Sequence, residues 1–484
     1  MLSDPKIFKV NFKNILNNTI FKILKESVAE IKLKSYIVGG YVRDLIIKNS
    51  NKKDIDIVVV GSGIELAKKV QKKLNNTNKI QIFKSYGTAM LKWNDITMEF
   101  VGSRKESYSD SSRNPKISFG TLQEDLLRRD FTINTMAISL NEENYGNLID
   151  PFKGVLDLKN QIIKTPLDPL KTFSDDPLRM LRAIRFCNQL NFKIEANSLK
   201  AITQNSDRIS IITNERIVVE LNKILECKKP STGFIILEKT GLLKKIIPEL
   251  SNLKGIDEIE GKTHKENFFH TLEVVDNISR HTDNLWLKWA ALLHDIGKPL
   301  TKKFNKKVGW TFHGHESVGA KMVYQIFKRL KMPLNDKMKY VQRLVFLSSR
   351  PIILSESEVT DAAVRRLVFD SGELLEDLIC LCEADITTKN PKRFLEYHEN
   401  FKIIREKIKI VEERDRIRNF QPPISGKKIM SYFGLQPCDK VGIIKETIKE
   451  AILEGEISNK YSDALTLMKK KGSEMGLKPN ENKL

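Results

Sequence analysis

The residues with chemistry to do fall in three places along the chain. The first is Asp54-Ile55-Asp56, at the head of the run IVVV. Side chains two apart on a strand face the same side, so the two carboxylates stand together while Ile55 and Ile57 turn the other way. Like charges held this way repel, and a divalent cation relieves them. Hard oxygen donors suit Mg²⁺, which keeps positions for water and substrate phosphate. A bare Asp-x-Asp also occurs on ordinary polar strand faces, so the pair takes its meaning from its neighbours. Just upstream stand Gly39-Gly40 and Arg43, in IVGGYVRDLII. Paired glycines ahead of a helix let backbone come close to a phosphate, and the helix start adds N–H groups and partial positive charge. Arg43, one turn in, is expected to reach the same anion. A third acidic ligand is needed from a neighbouring strand, and Glu99 in DITMEFVGSRKESY is the candidate.

The second place is basic. Arg128-Arg129-Asp130 precedes an apolar stretch, and FSDDPLRMLRAIRF carries Asp175, Asp176, Arg179 and Arg182 at helical intervals. Guanidinium groups suit bidentate phosphate binding. Asp176 and Arg179 are three apart and so expected on one helix face, as are Arg179 and Arg182. An Asp and an Arg fixed together offer an acceptor and donors in one plane. That imitates the Watson–Crick edge of a base and would select C or A without a template. The bland alternative is a surface ion pair, worth little. The third place is rich in histidine: His264, His270, His294, His313 and His315, with Asp295 among them. Imidazole with carboxylate is a divalent-metal donor set. His294-Asp295 closes the apolar run in WAALLHDIGKP, and Asp385 in LCEADITTKN would complete the sphere.

Elements able to hold these groups are legible around them. Residues 36–165 mix β-rich runs (IDIVVV, TMEFV, KIQIF) with helical stretches such as IELAKKVQKKL, an α+β pattern. From 166 onward apolar residues recur at helical spacing and strand signals are scarce. Joints are expected at TPLDPLKTFSDDP, at Lys228-Lys229-Pro230 and at 419–428. The expected division is 1–165 head, 166–235 neck, 236–400 metal-binding helical domain and 401–484 helical tail. The 484 residues carry a formal net charge of +21, with 82 Lys and Arg against 61 acidic residues, which favours a polyanionic partner. Five Cys without a C-x-x-C pair suit a reducing compartment. The polar start MLSDPKIFKV has no apolar signal core and no run reaches membrane-span length, so a cytoplasmic protein with no membrane partner is expected.

GGYVRD followed by DIDIVV resembles the head of the polymerase β-like nucleotidyltransferases. More narrowly, the chain resembles class II-like bacterial CCA-adding enzymes and their relatives, the bacterial poly(A) polymerases, over about residues 36–470. RRDFTIN is similar to the family's second motif. The resemblance implies that Arg129 contacts the triphosphate and that Asp130 and Asn134 shape the pocket wall. Asp150, Gly154 and Asp157 resemble a third motif joining head to neck, with Lys153 where the family more often has Gly. Asp176 and Arg179 would read the base, with Arg182 nearby on the nucleotide; Asp175 stands where the family usually has Glu. Arg208 and Arg216 would meet the RNA backbone. The order H…HD…D resembles the HD phosphohydrolase domain, with His270, His294, Asp295 and Asp385 as metal ligands; His313 and His315 lie where family members carry extra His. The basic tail from ISGKKIM resembles the part that holds the tRNA elbow.

The resemblance therefore implies template-independent addition of C, C and A to the tRNA 3′ end from CTP and ATP, with loss of pyrophosphate. Mg²⁺ would sit on Asp54 and Asp56, and a second divalent metal with phosphohydrolase activity in the HD domain. Two alternatives stay open. One is a poly(A) polymerase or a partial CC- or A-adding enzyme. The other is an HD phosphohydrolase with a non-catalytic RNA-binding head.

Overall fold

A computed structural model describes residues 12–48, 53–74, 79–83, 87–109, 112–264, 266–356, 359–388, 390–415 and 421–480. The N-terminal decapeptide and the first two residues of the 419–428 joint lie outside them. The chain divides into two compact units, 1–227 with 232–246, and 228–231 with 247–484. The joint expected at Lys228-Lys229-Pro230 falls at that division.

The first unit begins α1 (Thr19–Ile31), β1 (Ser35–Val38), α2 (Gly40–Ile46), β2 (Asp54–Val59), α3 (Gly63–Lys73), β3 (Gln81–Phe83), β4 (Thr88–Trp93) and β5 (Ile96–Gly102). A hairpin follows, β6 (Arg104–Ser109) and β7 (Ser112–Phe119). Then come α4 (Leu122–Leu127), β8 (Ala137–Ser139), β9 (Leu148–Ile149) and α5 (Gly154–Lys159). Seven strands make one sheet in the order β3-β4-β5-β2-β1-β8-β9. The β-branched run after Asp56 suits the centre of this sheet: Ile57, Val58 and Val59 are at most 1% exposed. Burying each such side chain stabilises by roughly 1.5–3 kcal/mol. β2 pairs parallel with β5 through the crossover that contains α3, and antiparallel with β1. One edge of the sheet is therefore where β1 ends and β2 and β5 begin. The polar residues of β2 and β5 meet there, Asp54 beside Thr97 and Asp56 beside Glu99.

Beyond the sheet lie α6 (Pro169–Asp175) and α7 (Leu178–Leu190). The segment TPLDPLKTFSDDP, expected as a joint, is mostly α6, capped by the side chain of Asp168 and started by Pro169. Pro169 opens α6, and Pro177 stands immediately before α7. Lys153 holds φ 62°, the left-handed conformation that glycine adopts freely, and a Cβ on Gly154 would lie 2.3 Å from the Thr132 carbonyl oxygen. The third-motif turn thus keeps its shape with only one of the family's two glycines. The second unit is helical apart from short hairpins, as expected for the region beyond 166. No helix among the described residues is long and apolar enough to cross a membrane.

Candidate active site and candidate metal centre

Asp54 and Asp56 share one face of β2, and the β2–β5 register sets Glu99 directly beside Asp56. The candidate third carboxylate is therefore on the same face. Glu99 is an exposed residue, yet partial desolvation among the strand ends and the charge of Asp56 push its carboxyl above the usual carboxylate range. Val38 pairs with Asp56 from the other side, and the chain turns at Gly39 with φ 75°. A Cβ on Gly39 would lie 3.1 Å from both Arg129 Nη1 and Asp56 Oδ2. Gly39, Asp56 and Arg129 therefore converge on one small space, as expected of a phosphate cradle. Gly40 opens the short α2.

Arg129 is held in place from behind. Its Nε and Nη2 donate to Asp125 Oδ2 at 3.3 and 3.1 Å, and Arg128 donates to Oδ1 through Nε and Nη2 at 3.0 and 2.7 Å. Asp125 is fully shielded, which alone would raise its carboxyl, but the two guanidiniums win and hold it low. Asp125 escaped the sequence reading. Its signal is the spacing: an acid three and four residues before an Arg pair shares their helix face.

Arg43, expected at the anion, and Asp130, expected at the nucleotide pocket wall, are both buried in ion pairs. Arg43 is 1% exposed; it donates to both oxygens of Asp44 and to Asn134 Oδ1 at 2.8 Å, and lies over the Phe186 ring. One turn into α2 points inward, where the hydrophobic side of the helix packs, so Arg43 braces the cradle rather than lining it. Asp130 is also buried. Its Oδ1 accepts from Phe131 N and Asn134 Nδ2, and its Oδ2 accepts from Arg182 Nε at 2.8 Å and lies 2.6 Å from Nη2. It anchors Arg182. Burial opposes its charge, but Arg182 outweighs that and holds the carboxyl at about 2.

The base-reading pair also differs in detail. Asp176 is not on the helix face with Arg179. It sits in an extended conformation between α6 and α7 (φ −135°, ψ 97°), and its Oδ1 accepts from Leu178 N. Pro177 forces this, because the residue before proline is driven out of the helical region. Arg179 and Arg182 do lie on α7. Arg179 Nη2 donates to the Arg128 carbonyl at 2.7 Å, and Arg182 reaches Asp130. The structure thus brings Asp54, Asp56, Glu99, Gly39, Arg129, Arg179 and Arg182 into one connected region. Arg208 is half-buried and donates to the Ser174 carbonyl, close before Asp176 in sequence, while Arg216 is exposed.

In the second unit, His270 (helix Asn267–Ser279), His294 and Asp295 (after helix Leu285–Leu293) and Asp385 (after helix Leu375–Ala384) converge. His270 Nε2 is 2.7 Å from Asp385 Oδ1, and His294 Nε2 is 3.4 Å from Asp295 Oδ2 and 3.6 Å from Asp385 Oδ1. Among the described residues, only His270, His294 and Asp385 gather three such ligand atoms within 4.8 Å; the head carboxylates do not close so far. The donors fit a cation. His294 Nδ1 lies 2.8 Å from the Ala291 carbonyl, which can only accept, so Nδ1 carries a proton and Nε2 is the atom turned to Asp295 and Asp385, where a cation would replace its proton. His294 Nε2 and Asp385 Oδ1 are buried, yet neither makes a hydrogen bond of acceptable geometry. Burial would push His294 down, but Asp295 and Asp385 outweigh it and hold it up at about 9. Asp295 also takes Lys298 Nζ at 2.7 Å, a group the sequence reading passed over. His315 Nε2 lies 3.7 Å from Asp295 Oδ1, whereas His313 is exposed and outside the cluster. A cavity of about 550 Å³, lined among others by Glu266, Phe269, His270, Tyr397 and Asp385, opens on the centre.

Family models match three stretches: a poly A polymerase head domain at residues 35–164, a probable RNA and SrmB-binding site of polymerase A at 191–254, and an HD domain at 267–390. An A-adding tRNA nucleotidyltransferase of Deinococcus radiodurans is 34% identical over 346 residues, covering 69% of this chain and 76% of its own. The chain belongs to the tRNA nucleotidyltransferase and poly(A) polymerase family. A multifunctional CCA protein of Shewanella frigidimarina is 31% identical to this family member over 382 residues, covering 73% of this chain and 84% of its own. A solved tRNA nucleotidyltransferase complexed with a primer tRNA and an incoming ATP analog is 26% identical, with TM-score 0.58 over 81% of this chain and 99% of that one. The CCA-adding enzyme of Bacillus stearothermophilus shares the fold at 20% identity, with TM-score 0.66 over 97% and 99% of the two chains. Nucleotidyltransferase heads and HD domains both use divalent metals, and this tRNA nucleotidyltransferase gathers three donor atoms at its HD centre.

Proposed function

We propose that this family member adds C, C and A to the 3′ end of tRNA from CTP and ATP without a nucleic-acid template, in the cytoplasm. The observation that carries the reading is the link between α7 and residues 128–130. It sets Arg179 and Arg182 next to Arg129, and Arg129 next to Gly39 and Asp56. Base, triphosphate and reacting hydroxyl then have adjacent places in one unit. Arg129 binds the triphosphate, Asp176 and Arg179 read the base edge, and Arg182 backs them against Asp130. The terminal 3′-oxygen of the RNA loses its proton and bonds to the α-phosphorus, the α–β bridging P–O bond breaks, and pyrophosphate leaves. Mg²⁺ on Asp54 and Asp56, with Glu99 beside them, would lower the hydroxyl pKa and offset charge on the phosphoryl group. Arg216 meets the tRNA backbone, and Arg208 supports the turn before Asp176. The division into head, neck, HD domain and tail at 165, 235 and 400 belongs to the same proposal.

A second reading has its own support, since the Deinococcus relative is named A-adding. Incubation with tRNA lacking its terminus, or ending in CC, with CTP, ATP or both, separates the two. CCA on the truncated tRNA is expected. Addition of A only to the CC-ended tRNA favours the second reading, and long A runs sink both. In the same assay Asp176→Ala is expected to lose roughly tenfold or more of its discrimination among bases, the worth of one bidentate base contact. Unchanged choice would remove Asp176 from base reading.

The HD centre is proposed to hold a divalent metal and to hydrolyse phosphoesters independently of the head. His294→Ala is expected to weaken metal binding about a hundredfold, since it removes a ligand rather than its support. Nucleotide addition should be spared. Calorimetric titration with Ni²⁺, Mn²⁺ and Mg²⁺ reads the first effect; unaltered affinity would discard His294 as a ligand.

A further inference from the structure

Asp125 sits under the active site with no direct part in it. It lies on α4, its side chain is wholly shielded, and each oxygen takes a different guanidinium: Oδ1 that of Arg128, Oδ2 that of Arg129. Oδ1 also accepts from Arg104 N at 3.4 Å. A carboxylate this buried is costly unless fully paired, so the three groups form a rigid unit. Two consequences meet at that unit. Arg129 turns its Nη1 toward Gly39 and Asp56, the expected seat of the triphosphate. The carbonyl of Arg128 takes Nη2 of Arg179 at 2.7 Å, the residue expected at the base. One buried carboxylate therefore fixes the guanidinium of Arg129, expected at the phosphate, directly, and that of Arg179, expected at the base, through the backbone of Arg128.

We infer that Asp125 is a positioning residue that sets the grip on the triphosphate and the choice of base together, an inference that rests on the nucleotide-addition reading for the roles of Arg129 and Arg179. A merely structural Asp125 would lower stability and active fraction but leave the preference among bases unchanged. Here phosphate affinity and base preference fall in step.

The test titrates ATP and GTP, and CTP and UTP, into the full chain with Mg²⁺, and in parallel measures addition to tRNA. Asp125→Asn is expected to weaken ATP and CTP about tenfold, the equivalent of one charge-assisted hydrogen bond. Preference for ATP over GTP and for CTP over UTP should fall by about the same factor, while affinity for tRNA stays within about twofold. Asp125→Glu keeps the charge and should recover part of both losses. Should Asp125→Asn melt below the working temperature, Arg128→Met makes the same test. Its guanidinium is partly exposed, so the change is tolerated, and affinity for ATP and CTP and preference among bases should again fall together. Folded Asp125→Asn or Arg128→Met with unaltered base preference overturns the inference. A wild-type chain that binds nucleotides selectively yet adds none to tRNA sinks the addition reading alone, and the binding arm still decides on Asp125.

Discussion

Asp54→Ala is expected to reduce nucleotide addition by about three orders of magnitude or more, because the cation proposed to sit there would supply several kcal/mol to the transition state and each 1.36 kcal/mol is tenfold in rate. Binding of tRNA should be kept. Stability should not suffer: Asp54 is exposed at the start of β2, beside Asp56 and in reach of the Asp56–Glu99 pair. Removing one of three like charges relieves repulsion, so the melting temperature without metal should hold or rise. Loss of activity with retained or increased stability is the signature of a functional carboxylate. Single-turnover addition and thermal melting on one preparation read both. A variant with a tenth or more of wild-type rate would show that the pair does not hold the catalytic ion.

Asp130→Asn should act in the opposite sense, on folding first. The carboxylate is buried, and Arg182 pairs with it through two nitrogens. Breaking a buried pair leaves a charge unmatched and costs about 3 kcal/mol or more. The same pair makes stability depend on pH. The folded carboxyl is held at about 2, below its ordinary value of 3.8. A lowered folded value stabilises above the unfolded one, so the contribution, about 2 kcal/mol, is complete above pH 4 or so and disappears as pH falls towards 2. Urea unfolding of wild type and variant across that window should give curves that converge as pH drops. A constant gap between them would mean that Asp130 is not ionised by Arg182 in the fold.

The strand assignments that place the carboxylates were legible because periodicity and β-branching act locally. Asp54-x-Asp56 could be put on one face from spacing alone, and Glu99 followed from its β-like run. What the spacing could not supply was direction in three dimensions. Arg43 reads as an anion ligand one turn into a helix, but the fold turns that side of α2 to the interior, where Asp44 and Asn134 meet it. Asn134 is 91 residues away in sequence, and no local pattern announces the contact. Asp176 and Arg179 have helical spacing, yet Pro177 between them breaks the helix; the rule was available in the sequence, and the apolar periodicity of PLRMLRAIRF outweighed it. The HD ligands come from three helices over more than a hundred residues. Each helix was evident, but their convergence, the orientation of the His294 ring and the Lys298 contact to Asp295 depend on packing.

The stitching of α7 to the loop before Thr132 also bears on how the protein can be cut and recombined. Asp130 and the Arg128 carbonyl belong to the head by sequence, whereas their partners Arg182 and Arg179 lie beyond residue 165. A fragment ending there would keep a buried acid without its counter-ion and a helix-facing surface with nothing on it. A chimera that exchanges heads between relatives should therefore carry α7 with the head, and place the crossover after Asn191, where the chain leaves the helix in a left-handed turn. Joined earlier, the donor and recipient halves of one buried ion pair would come from different ancestors.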